Sequence, residues 1–115
     1  MHQVTALFIS IAIEVPCSGI VLRLLRKPHY RRGALVAIGS TMLSHPFAWA
    51  ANTVWLTGLP FAERALLIEC GVVIFEAAFY IWLVPLRVRE GFLVSLVANS
   101  ASFGFGLLIW SLQRG

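Results

Sequence analysis

The 115-residue sequence predicts an all-α membrane protein, an antiparallel bundle of four transmembrane helices with a polar midplane core. Three observations predict it. Apolar residues make up 59% of the chain and charged residues 12%, whereas a soluble domain carries about 25% charged and 45–50% apolar residues. Nine Lys/Arg and five Asp/Glu are too few to keep the surface of so small a soluble domain dissolved. The apolar residues also fall into four runs, each near the roughly 20 residues that a helix needs to cross a hydrocarbon core about 30 Å thick. A soluble globular domain, a disordered tail and a disulfide-stapled secreted scaffold are therefore excluded.

The four runs are residues 4–22, 34–58, 65–84 and 92–112, within a single transmembrane domain of residues 1–115. Each is too long for a barrel strand and lacks dyad alternation, so helices are expected. Pro28, Pro60 and Pro85 fall between runs, where residues that break helices belong. In the first run Gln3, Leu7, Ser10, Glu14, Cys17 and Val21 recur at helical spacing. The second carries Thr41, His45, Ala48 and Asn52; the third Glu69, Val73, Glu76 and Tyr80; the fourth Ser95, Asn99, Ser102 and Gly106. Each helix thus has one polar or small stripe, which lipid turns inward. Ala98, Ser102 and Gly106, four apart, are expected to let the fourth span approach a neighbour closely.

Basic residues set the direction. Arg23, Arg26, Lys27, Arg31, Arg32, Arg87 and Arg89 lie in the first and third links, and only Arg64 and Arg114 lie opposite. The positive-inside rule predicts a multi-pass protein of the cell membrane, with links 23–33 and 85–91 cytoplasmic and both termini outside. The first run is not a cleavable signal peptide, because its positive charge follows the apolar stretch. The basic segment 23–32 is read as a topology determinant touching lipid headgroups, and no nucleic-acid module accompanies it. Trp55, Trp82 and Trp110 sit near span ends, as in an aromatic belt. Trp49 lies deeper, as packing or a pocket wall. Cys17 and Cys70 differ in depth by roughly 13 Å at 1.5 Å rise per residue, too far for a disulfide.

The polar residues inside the spans carry the functional signal. Counted from each span's centre, Glu14, His45, Glu76, Asn99 and Ser102 fall within roughly 5 Å of the midplane, and Glu69 about 8 Å toward the outside. A charge at mid-span costs about 2.5–3.5 kcal/mol. Some eleven Leu, Ile, Val and Phe in the third span return roughly 3–7 kcal/mol, which its two Glu can cancel. Protonation, or a partner inside the bundle, must relieve that cost. Pro16 and Pro46 free the carbonyls of Ala12 and Met42 beside the same region.

These residues are the candidates for binding a proton or cation: Glu14, His45, Glu69, Glu76, Asn99 and Ser102. The expected function is proton- or cation-linked transport through this cluster. One alternative is a non-catalytic accessory or assembly subunit of a larger membrane complex. Another is an intramembrane metal or pigment site at His45, whose cofactor the sequence does not specify. Soluble-enzyme constellations are absent, so no catalytic residues are assigned. The expected partners are the lipid bilayer and either a second copy, as a homodimer, or the other subunits of a larger membrane complex; no nucleic acid is expected.

Overall fold

A computed structural model describes residues 3–27 and 29–114, with backbone alone at 3, 110, 113 and 114. The side chains of Gln3 and Trp110, and all of Pro28, lie outside the described residues. Four helices follow in order: α1 (Gln3–Leu24), α2 (Tyr30–Ala50), α3 (Phe61–Leu83) and α4 (Val88–Arg114). A π-helical segment, Ala51–Trp55, extends α2. All four helices are long and apolar enough to cross a membrane. They pack as a ring, each against its two neighbours, and α1 and α3 face each other across the axis without backbone contact.

The helices run past the apolar runs at several ends. α2 begins at Tyr30 rather than 34, α3 at Phe61 rather than 65, and α4 at Val88 rather than 92. The first link accordingly shrinks from 23–33 to 25–29, and Arg31 and Arg32 become helical. Hydropathy marks the hydrocarbon, whereas backbone hydrogen bonding ends a helix. α3 starts directly after Pro60, which has no N–H to leave unsatisfied. α4 starts where Glu90 Oε1 accepts the Arg87 backbone N–H at 2.9 Å, half of a capping box. α1 stops in a Schellman turn: Lys27 N–H donates to Leu22 O at 2.9 Å and Arg26 N–H to Arg23 O at 3.0 Å. Arg26 takes the left-handed conformation there, at φ 58°.

The outer surface is apolar, with Leu24 and Trp82 78% and 77% exposed. Such a surface is suited to hydrocarbon and not to water. Trp55 and Trp82 point outward near helix ends, where an aromatic belt places them. Cys17 and Cys70 are both free thiols.

Burial is uneven along the axis. The apolar core consists of Val21, Leu22, Val36, Ala37, Tyr80, Val84, Leu86 and Val94. These residues come from the end of α1, the start of α2, the end of α3, the link after it (Val84 and Leu86) and the start of α4, so the core sits at the end that carries the basic links. There two glycines admit neighbours: a Cβ on Gly33 would overlap Leu22, and one on Gly91 would overlap Ile81 and lie 3.2 Å from Ala77 O. Close approach by α4 therefore occurs at Gly91. The expectation for Gly106 is corrected, since a Cβ there would meet nothing within 4 Å. Spacing identifies small residues but not the end at which helices converge.

Candidate functional site

Halfway along the bundle, Glu14 from α1 and Glu76 from α3 reach across the axis until their carboxyls adjoin. They are only 2% and 1% exposed. Because the α1 and α3 backbones do not come into contact, these two long side chains span the gap. α2 supplies hydroxyls from one face, at Ser40, Thr41 and Ser44. Thr41 Oγ1 lies 3.1 Å from Glu14 Oε2 and 3.5 Å from Glu76 Oε1. Its single proton goes to the nearer oxygen. Ser44 Oγ donates to Glu76 Oε2 at 3.2 Å. Ser40 Oγ is 3.4 Å from Glu76 Oε1 but gives its proton to Val36 O at 2.6 Å.

α4 completes the ring of donors. The Asn99 amide adjoins Glu76, and its Nδ2 donates to Ser95 O at 2.9 Å and Ser95 Oγ at 3.2 Å. Ser95 Oγ in turn donates to Val73 O at 2.8 Å, which pins α4 to α3 at this level. Four helices thus position one carboxyl pair.

The charge at this pair is not balanced by the protein. Among the described residues the single ion pair is Lys27–Glu90, at 3.4 Å, near the basic links. No Lys or Arg lines the space around Glu14 and Glu76. Two bare carboxylates in contact repel strongly in a medium of low dielectric constant. The site therefore needs positive charge, as a proton or another cation, from outside the protein.

A cavity of about 320 Å³ leads away from the pair. Its walls include Ser10, His45, Trp49, Asn52, Glu69 and Phe103. All of these lie on the side of the pair away from the packed core. The π-helical segment forms part of that wall: Leu56 N–H reaches back to Ala51 O at 2.9 Å, and Asn52 sits within the segment. Such segments inside α-helices are frequently found at functional sites. Toward the core the space is closed. Tyr80, one turn beyond Glu76, is 0% exposed, and its hydroxyl lies beside Ser18, one turn beyond Glu14.

The structure brings together three of the six sequence-predicted candidates, Glu14, Glu76 and Asn99. The other three line the cavity farther out. His45 packs against Trp49, with ring centroids 6.1 Å apart and planes tilted by 32°. Glu69 lies two turns from Glu76 on α3. Ser102 does not join the carboxyl shell; its Oγ donates to Ser10 Oγ at 3.2 Å and ties α4 to α1. Among the described residues no three His, Cys, Asp or Glu side chains converge as a metal-ligand set. Sequence reading missed Ser40 and Ser44. The run Ser40, Thr41 and Ser44 was the available signal, since positions i, i+1 and i+4 share a helix face.

The two serines are expected to behave differently. Ser44→Ala leaves Glu76 Oε2 without its hydroxyl donor and removes an α2–α3 tie. It should destabilise the fold by about 1 kcal/mol, within the roughly 0.6–1.7 kcal/mol range of such bonds in membranes. Ser40→Ala removes a bond within one helix and should be near neutral. Denaturant titration of both variants in micelles measures the difference.

No protein family matches the chain, and neither curated proteins nor solved structures match it at a significant level.

Proposed function

We propose that the chain is a small integral membrane transporter, an antiparallel four-helix bundle that exchanges a proton for another cation at the Glu14–Glu76 pair. The observation that carries this reading is a buried carboxyl pair, without a protein counter-charge, at the closed end of a cavity into which all four helices bring polar side chains. A proton held there is displaced by an incoming cation, because the pair binds one positive charge in either form. The basic links belong in the cytoplasm under the positive-inside rule, so the cavity faces outward and the Tyr80 level closes it toward the cytoplasm. Transport then requires that level to open while the outer end closes.

Liposomes holding the purified protein and an internal pH indicator test the reading. A gradient of tetramethylammonium is expected to drive opposite proton movement in these vesicles and none in protein-free controls. Identical traces with and without protein, whether tetramethylammonium, sodium or potassium supplies the gradient, reject exchange.

A further inference from the structure

Glu69 stands on a wall common to two hollows. Together with Phe61, Phe103 and Leu107 it lines the central cavity and also a groove of about 690 Å³ on the outer face between α3 and α4. The rest of the groove is almost wholly apolar or small, with Ala65, Leu66, Ile74, Leu96 and Gly104 on its sides. A Cβ at Gly104 would meet nothing within 4 Å, so the groove is open there. From Phe61 to Ile74 it follows α3 for about 20 Å at 1.5 Å per residue.

A second observation points to a cationic ligand. Among the described residues no hydroxyl, amide or backbone N–H donates to Glu14 Oε1, although its residue is buried beside the Glu76 carboxyl and lines the cavity. A buried carboxylate oxygen without a donor is costly until a proton or a cationic group reaches it. Trp49 and Phe103 line the same cavity, and aromatic rings attract cations. Among the described residues no third His, Cys, Asp or Glu side chain joins Glu14 and Glu76 to complete a metal-ligand set, and a purely apolar ligand would desolvate Glu69 without compensation.

Resting on the transport reading, we infer that the cation is an amphipathic organic ammonium. Its charged head enters beside Glu69 toward the Glu14–Glu76 pair, and its apolar tail lies in the α3–α4 groove, reached laterally from the membrane.

Equilibrium binding in lipid nanodiscs tests this with two probes, dodecyltrimethylammonium and tetramethylammonium. Both are expected to bind and to compete. Gly104→Phe and, separately, Ser100→Phe fill the groove from exposed positions that do not line the cavity. Each should weaken the long-chain probe by about tenfold, the scale of one lost apolar contact region, and leave tetramethylammonium within about twofold. Unchanged long-chain binding in both variants overturns the lateral groove, while competition that still needs Glu14 and Glu76 keeps the transport reading. Loss of a dimer in the variants with ammonium binding intact assigns the groove to a second copy and overturns the inference. Absence of binding by either probe overturns the inference, and proton movement driven by another cation then decides separately whether exchange survives.

Discussion

Glu76→Gln is expected to lower cation-driven proton movement by about 10- to 100-fold, because a hydrogen bond or contact to a charged group contributes roughly 1.5–3 kcal/mol and each 1.4 kcal/mol is a decade. Glu76 is the better-connected member of the pair, with Ser44 donating to it and Ser40, Thr41 and Asn99 around it. Glutamine matches its shape. Its carbonyl oxygen still accepts from Ser44, and its amide N–H group can donate to Glu14, so the fold should hold. What it cannot do is release a proton or carry a negative charge. Glu14→Gln should lose a similar amount. Because the two carboxyls act as one unit, the double variant should lose little more than either single variant. Flux in liposomes, with thermal unfolding in micelles as the control for folding, measures all three.

Gly91→Leu is the substitution expected to harm stability most. A Cβ at this site already overlaps Ile81 and lies 3.2 Å from the Ala77 carbonyl. Ala77 is fully buried, and a backbone atom cannot swing aside as a flexible side chain does. α3 and α4 must separate beside the packed core, which costs about 1–3 kcal/mol and more where relaxation is blocked. Gly106→Ala supplies the contrast. With open space around it, the added methyl should stabilise α4 by up to about 1 kcal/mol through helix propensity. Unfolding midpoints of the two variants should move in opposite directions.

Much of this architecture was legible in the chain. Four apolar runs gave four helices, because lipid leaves the backbone few other ways to satisfy its hydrogen bonds. Depth counting brought Glu14, Glu76 and Asn99 to one level, since a fixed rise per residue converts sequence position into height. Azimuth was harder to read. Ser102 shares that level yet bonds to Ser10, because small rotations of a helix decide which neighbour a short side chain meets. Ser40 and Ser44 escaped notice because hydroxyls are common in spans and only contact with a carboxyl gives them meaning. The hollow and packed halves of the bundle were also invisible in periodicity. They depend on where bulky residues such as Leu22 and Tyr80 interlock, which is a property of pairs of helices.

The most direct test of the carboxyl pair is proton release on cation binding. Purified protein in a weakly buffered micelle solution is titrated with tetramethylammonium while pH and bound ligand are followed together. Competition for one site predicts about one proton released per cation bound, and almost none from the Glu14→Gln, Glu76→Gln double variant. Stoichiometric binding with no proton released, or the same release from the double variant, would contradict exchange at this pair.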